Sequence, residues 1–173
     1  MRSTTTVRLI GGPTLVIGVG GLRLLTDPAD GRPGPIGAGP IDVVLLSRDT
    51  QDGHELLAQV PLVLTTSVCT ERLGRSARAL PPWYHLSLPR PDGGELRITG
   101  VPAQPGPGEV TGFVLSGVDT PAIYLSGGTV SPDVAEAVAQ RCPQIDIAVL
   151  PADGALTGDQ AAAILGSPTV ILT

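Results

Sequence analysis

The residues best suited to chemistry lie in one polar stretch that runs from Ser47 to His54. Asp52 and His54 are side chains that could act as catalytic bases, and Arg48 could orient an anionic ligand. Ser47, His54 and Asp52 could also be combined as a nucleophilic triad, but no Gly-x-Ser-x-Gly elbow accompanies them. Alternatively, Asp49 and Asp52 pair with Arg48 in a solvated loop and His54 lies at the surface. The stretch therefore predicts a candidate site and leaves its chemistry open.

Two other loops offer candidate cleft residues. Asp27, which precedes Pro28, either accepts hydrogen bonds in a turn or serves as a ligand or general base. Gly128 and Thr129 end a Ser-Gly-Gly-Thr segment before a predicted helix, where backbone N–H groups could hold an anion or simply form a turn.

Apolar runs and turn signals predict the elements that must position these residues. Runs 5–10, 14–17 and 22–26 are β-rich and are separated by Gly-rich turns, which predicts an N-terminal meander. Runs 41–46 and 61–65 are almost continuously apolar, as in strands covered on both faces. Short helices are predicted at 53–58 and 67–75, and further strands at 84–88, 95–99, 112–115 and 122–126.

The C-terminal part predicts two helix–strand units. Ser131 can cap a helix that has Pro132 at its first position and runs to residue 141. Thr157 and Gln160 have capping-box spacing and predict a helix to residue 165. Strands are predicted at 145–150 and 169–172. Together the elements predict an α+β fold, a four-layer αββα sandwich formed by a single domain over residues 1–173.

Composition argues against several classes of partner. The net charge is −5, whereas a nucleic-acid-binding protein needs a basic face. No apolar run reaches the roughly 18 residues of a membrane span, and the N-terminal residues lack the apolar region of a signal peptide. A cytoplasmic protein is therefore expected. All 11 basic residues are arginines, which is typical of a GC-rich bacterial genome.

Six segments, taken in order, resemble metallo-β-lactamase-fold proteins, and most closely their compact, lactonase-like branch. The segments are 24–28, 41–47, 61–66, 108–115, 122–129 and 145–150. The resemblance covers nearly the whole chain and implies a metallo-β-lactamase-like αββα sandwich that is shortened at its C-terminus. It also implies a chemistry in which His and Asp hold one or two metal ions, usually zinc, that activate a hydroxide for hydrolysis.

The polar stretch departs from the metal-binding cluster that this resemblance implies. Arg48 stands where the family has its first histidine, and either Thr50 or Gln51 stands at the second. Asp52 could be the acidic member of the cluster. His54 could slide into a ligand position, although by spacing it better matches a residue that is not a ligand.

The later ligand positions depart from the family as well. Gln104 replaces a histidine, Gly128 replaces the bridging aspartate, and the sequence ends at Thr173, before the position of the last histidine. Gln, Thr and Gly are poor ligands for these metals, and the fixed charge of Arg48 repels a divalent ion. The sequence therefore predicts no metal site and no cofactor.

Three functional hypotheses remain. The first is a metal-free pseudoenzyme, a binding, regulatory or partner-complex protein with a small anionic ligand in a cleft rimmed by Arg48, Asp49, Asp52 and Gln104. The second is an enzyme, either a weak mononuclear hydrolase or a metal-independent catalyst with Asp52 or His54 as its base. The third is a structural subunit whose last strand, at 169–173, pairs with a partner, for example with a second copy in a homodimer.

Overall fold

The computed structural model describes residues 4–28, 36–49, 54–74, 77–103, 110–167 and 169–173. Within these ranges the first half of the chain forms β1 (Thr5–Gly11), β2 (Thr14–Val19), β3 (Leu22–Thr26), β4 (Val43–Leu45), α1 (His54–Leu57), β5 (Leu62–Thr65), α2 (Ser67–Leu73) and β6 (Ala77–Ala79). The second half forms β7 (His85–Pro89), β8 (Glu95–Pro102), β9 (Thr111–Gly117), β10 (Thr120–Leu125), α3 (Pro132–Arg141), β11 (Ile147–Leu150), α4 (Gly158–Leu165) and β12 (Thr169–Leu172).

The strands form two six-stranded sheets, one from each half of the chain. The first sheet has the order β1-β2-β3-β4-β5-β6 and the second has the order β12-β11-β10-β9-β8-β7. The first sheet is antiparallel from β1 to β3 and parallel from β3 to β6. The second is antiparallel from β7 to β10 and parallel from β10 to β12. Parallel neighbours need crossovers, and α1 to α4 lie in these connections.

The main hydrophobic core lies between the two sheets. Strand residues alternate between faces, so Leu15 and Ile17 of β2 point into this core together with Leu96 and Ile98 of β8. Phe113 of β9 joins them and is almost fully buried. The core thus holds the two sheets face to face and places the carboxyl ends of β3, β4 and β10 at one edge of the interface.

Helices cover the outer face of each sheet. Val16 and Leu25 point away from the main core and pack in a cluster that includes Leu57 of α1. On the second sheet, Tyr124 packs in a cluster with Val138 of α3 and with residues of α4. The layers are therefore helix, sheet, sheet, helix, and the predicted αββα sandwich is confirmed.

Capping explains why the two longest helices begin where the sequence predicts. The Ser131 side chain accepts a hydrogen bond from the N–H of Val134 at the start of α3. Thr157 and Gln160 form the predicted capping box at the start of α4, and Gly166 ends that helix in the left-handed conformation. No helix within the described ranges is long and apolar enough to cross a membrane.

The remaining differences from prediction are local. β6 (Ala77–Ala79) was not predicted, because three residues with two alanines carry almost no strand signal. β8 runs to Pro102, beyond the predicted end at residue 99. β4 spans only Val43–Leu45, yet all three residues are buried, as expected for a strand covered on both faces.

Candidate functional site

Loops from both sheets meet at the edge where β3, β4 and β10 end. The first sheet contributes Asp27, which directly follows β3, and Ser47 and Arg48, which follow β4. The second sheet contributes Gly127 and Gly128, which follow β10. Side chains at the carboxyl ends of neighbouring strands converge at one edge, and this is where ligand sites of such sheets are usually found.

Asp27 lies at this edge and is half-buried. Its backbone adopts a left-handed conformation with φ of 34°, which aspartate tolerates better than most residues. Its Oδ1 accepts a 2.7 Å hydrogen bond from the Ser47 N–H. Burial raises the pKa of the Asp27 carboxyl from 3.8 to about 6, although the Ser47 hydrogen bonds and the charge of Arg48 act in the opposite direction. Asp27 therefore accepts a hydrogen bond in the turn and also lines the cleft.

Ser47 joins the two sheets. Its hydroxyl donates to the Gly127 carbonyl oxygen at 2.9 Å, and its own carbonyl oxygen accepts a 2.7 Å hydrogen bond from the Thr111 N–H. Gly127 has a φ of +69°, and a Cβ on it would lie 2.6 Å from the Ser47 Cβ and closer still to the Thr111 carbonyl oxygen. Only glycine fits here without displacement of the backbone.

Arg48 reaches across to the loop of the second sheet. Its Nη2 donates to the Gly127 carbonyl oxygen at 2.7 Å, and Arg48 forms an isolated antiparallel bridge with Val110. A Cβ on Gly128 would lie 3.4 Å from the Arg48 Nη2. The guanidinium group therefore lies beside the space that a side chain at position 128 would enter.

These residues line a pocket of about 60 Å³ between the sheets. Its polar side is formed by Asp27, Ser47, Arg48 and the loop of Ser126 and Gly127. Its remaining walls are mostly apolar and are formed by Pro13, Leu15, Leu45, Phe113, Leu125, Val149 and Pro151. Such a pocket combines a hydrophobic interior with a few polar groups at one end, which is the usual composition of a small-molecule site.

Of the predicted cleft residues, the structure brings Asp27, Arg48 and Gly128 together at the pocket. Asp49 instead forms a salt bridge with Arg72 of α2 and is not among the residues that line the pocket. Thr129 is exposed and also lies outside the lining.

The other predicted site residues fall outside the described part of the chain. Asp52 and Gln104 belong to undescribed segments, as do Thr50 and Gln51. His54 begins α1, but its side chain is not described.

Sequence reasoning did not single out the contacts between Ser47 and Gly127. Both residues appeared in candidate segments, and a glycine directly after a strand is a signal for a tight backbone approach. What the sequence could not supply was the partner, because the two residues are 80 positions apart.

The described residues of the pocket do not fit the donor set of a two-metal site. Asp27 is the one acidic side chain among the lining residues, and Arg48 adds a cation beside it. Among all described residues, no group of three or more His, Cys, Asp or Glu could hold a metal ion. The whole sequence contains two histidines, of which His85 lies on β7 at the far edge of the second sheet.

Comparisons with known proteins agree with this fold. A family model described as a beta-lactamase superfamily domain matches residues 6–165, so the chain belongs to the beta-lactamase superfamily. No curated protein matches the chain.

Solved structures show the same fold at low sequence identity. The metallo hydrolase Igni18 from Ignicoccus hospitalis is 18% identical with a TM-score of 0.74, and the match covers 96% of this chain and 80% of that one. A metallo-beta-lactamase superfamily protein from Thermotoga maritima is 20% identical with a TM-score of 0.62, covering 98% and 75%. CmlA, a diiron beta-hydroxylase from Streptomyces venezuelae, is 16% identical with a TM-score of 0.63, and the match covers 86% of this chain but only 34% of CmlA.

Proposed function

We propose that this beta-lactamase superfamily protein is a binding protein that takes a small organic anion in the pocket between the sheets, and that it does not hydrolyse substrates with a dinuclear metal centre. The observation that carries the proposal is the position of Arg48. Its guanidinium group lies beside Gly128, where the resemblance to metallo-β-lactamases implies a metal-bridging aspartate. A fixed positive charge at this point favours an anion and disfavours a metal ion.

Arg48 is available to a ligand. One of its five N–H donors is used by the Gly127 carbonyl oxygen. It forms no salt bridge with any residue of the described ranges. The guanidinium group is thus held in place by one hydrogen bond and keeps donors free for a carboxylate, which it can bind with two parallel hydrogen bonds.

Asp27 adds a pH-dependent group to the same pocket. Because burial raises the pKa of its carboxyl to about 6, a growing fraction of Asp27 is neutral as the pH falls below neutrality. A neutral carboxyl can donate a hydrogen bond to a bound anion, whereas an ionised one repels it. Anion affinity should therefore rise toward acid pH.

The apolar walls determine which chemical groups the rest of the ligand can carry. Leu45, Phe113 and Leu125 offer hydrocarbon and aromatic surface without a further charge. The pocket volume is only about 60 Å³, well below the roughly 300–1,000 Å³ of pockets for drug-sized ligands, so the ligand must be small. These features together favour a short aliphatic or aromatic acid over a sugar or a nucleotide.

Isothermal titration calorimetry with hexanoate, hexanol and hexylamine tests the proposal on protein purified without a metal-chelating tag. Hexanoate should bind, hexanol more weakly and hexylamine not measurably. Arg48→Gln should weaken hexanoate binding by roughly tenfold or more, because a charge-assisted pair is lost. Arg78→Gln, which removes an exposed arginine from strand β6, is the matched control and should leave binding unchanged.

The alternative is an enzyme that retains a mononuclear metal site or uses Asp52 or His54 as a base. One equivalent of tightly held zinc or iron in the purified protein, with turnover of lactones or phosphodiesters that is lost in Asp52→Ala, would establish the alternative and overturn the proposal. Equal binding of hexanoate and hexylamine would also contradict it.

A further inference from the structure

A second pocket of about 220 Å³ lies on the outer face of the second sheet. Arg97 and Thr99 alternate along β8 with Leu96 and Ile98, which point into the main core, so Arg97 and Thr99 face outward. The last residue of α3, Arg141, lies over this face. The pocket is thus on the opposite side of the second sheet from the pocket at Asp27 and Arg48.

We propose that this second pocket binds a phosphate group, either as free phosphate or as part of a small phosphate monoester, between Arg97 and Arg141. The lining residues relevant to this are Trp83, His85, Arg97, Thr99, Ser116 and Arg141. They supply two guanidinium groups, an imidazole and two hydroxyls, which are all groups that donate hydrogen bonds to phosphate oxygens.

Strand register places these donors side by side. Arg97 of β8 is directly opposite Ser116 of β9. Thr99 of β8 is directly opposite His85 of β7. Directly opposite side chains on one face of an antiparallel pair lie about 5 Å apart at their Cβ atoms, a spacing at which neighbouring donors can share one tetrahedral anion.

The lining of this pocket is cationic although the whole protein carries a net charge of −5. It contains no aspartate or glutamate. Glu95 and Asp146 line the adjoining groove, but neither forms a salt bridge with Arg97. Burial raises the pKa of the neighbouring Cys142 thiol, so Cys142 brings no negative charge to this site at neutral pH.

Arg97 and Arg141 have no acidic partner within the described part of the chain, whereas Arg72 and Arg90 each have one. Two guanidinium groups that share a pocket without a counter-ion repel each other. Such an arrangement is stabilised when an anion binds between them.

Trp83 holds Arg141 in position. The guanidinium carbon of Arg141 lies 4.7 Å from the centre of the Trp83 ring, a cation–π contact. Trp83 has a φ of 71°, a strained conformation for a bulky residue, and its N–H donates to the Gly100 carbonyl oxygen at 2.7 Å. A strained backbone conformation persists only where the surrounding structure maintains it. Residues of this kind concentrate at ligand sites.

Trp83 also makes the proposal directly measurable, since it is the one tryptophan of the chain. Its fluorescence can be followed while the intact protein is titrated with sodium phosphate, with phenyl phosphate, and with sodium chloride at matched ionic strength. Both phosphate compounds should produce a saturable change in emission, and sodium chloride should not. Tighter binding of phenyl phosphate would indicate a phosphate monoester as the ligand, and equal or weaker binding would indicate free phosphate.

Arg97→Gln tests the assignment without removing the cation–π contact. It should weaken phosphate binding by roughly tenfold or more, whereas Arg78→Gln, another exposed strand arginine, should bind as the wild type does. Thermal melting checks that both variants are folded; if Arg97→Gln is not, Thr99→Val replaces it and should weaken binding several-fold. A linear response to phosphate, or an equal loss in Arg78→Gln, would overturn the proposal.

Discussion

The Ser47 hydroxyl donates a 2.9 Å hydrogen bond to the carbonyl oxygen of Gly127, which lies 80 residues further along the chain. Arg48 donates to the same oxygen at 2.7 Å. One carbonyl group of the second sheet therefore holds two consecutive residues of the first. This contact defines the polar side of the pocket, because it places the guanidinium group of Arg48 beside Gly128.

Gly127→Ala should destabilise the protein by roughly 3 kcal/mol or more. The left-handed backbone alone costs an alanine about 1 kcal/mol, and the Cβ would overlap the Thr111 carbonyl oxygen and approach the Ser47 Cβ to 2.6 Å. Gly166→Ala is the matched control, since Gly166 has a similar φ of +63° and nothing within 4 Å of its Cβ position. Urea unfolding measures the free energy of unfolding of both variants. An equal loss of unfolding free energy in both would argue against a steric role for the Ser47 contact.

Asp27→Asn should change how stability depends on pH. The pKa of Asp27 is about 6 in the folded protein against 3.8 as the ordinary value, so the folded state holds the proton more tightly between these pH values. The favourable contribution of the protonated carboxyl is fully present below pH 4 and is lost as the pH rises through 6. Relative to Asp27→Asn, which does not titrate, the wild type should lose up to about 3 kcal/mol of unfolding free energy over this interval.

Urea denaturation of wild type and Asp27→Asn at pH 4, 5, 6 and 7 provides the measurement. Asp146→Asn is the control, because the Asp146 carboxylate also accepts one backbone N–H, from Ala122, but lies outside this pocket. Parallel pH profiles for the wild type and Asp27→Asn would show that the carboxyl is not held in a desolvated environment.

Gly128→Asp should block anion binding at Arg48. A side chain at this position starts 3.4 Å from the Arg48 Nη2, so the new carboxylate can pair with the guanidinium group. The affinity for hexanoate should fall by roughly tenfold or more. Gly128→Asn adds the same bulk without the charge and should lower the hexanoate affinity clearly less. If Asn and Asp weaken binding equally in calorimetry, steric exclusion and not the charge of Arg48 is responsible.

Zinc affinity should appear only in a variant that lacks the Arg48 cation and carries added metal-ligating side chains. The wild type, purified without a chelating tag, should contain well below one equivalent of zinc by mass spectrometry. The double variant Arg48→His with Gly128→Asp replaces the cation by a histidine and adds a carboxylate near Asp27. It should compete for zinc with a chromogenic chelator at least tenfold better than the wild type does. Stoichiometric zinc in the wild type would contradict the proposed loss of the metal site.

Local signals account for the parts of the fold that could be predicted from sequence. Ser131 with Pro132, and Thr157 with Gln160, located α3 and α4 because capping depends on residues within one turn of the helix. β6 could not be predicted, because it is a strand through its pairing with β5 and not through its own composition.

The candidate site was predictable only as a set of unusual residues. Arg48 and Gly128 could be recognised as departures from a metal-binding pattern, but their proximity depends on how two separate sheets dock. The pairing of Asp49 with Arg72 draws that carboxylate toward α2, and no spacing rule along the chain predicts this contact. Burial, which determines the proton affinity of Asp27, is likewise a property of the assembled fold.

The contact between Ser47 and Gly127 also has a consequence for the order of folding. The first sheet is built from residues up to Ala79 and the second from residues after it, so every strand of the first sheet leaves the ribosome before Gly127 is made. The polar side of the pocket cannot exist in the nascent N-terminal half. A ligand that needs both halves acts only on the finished molecule, where it slows their separation and lengthens the lifetime of the protein against proteolysis.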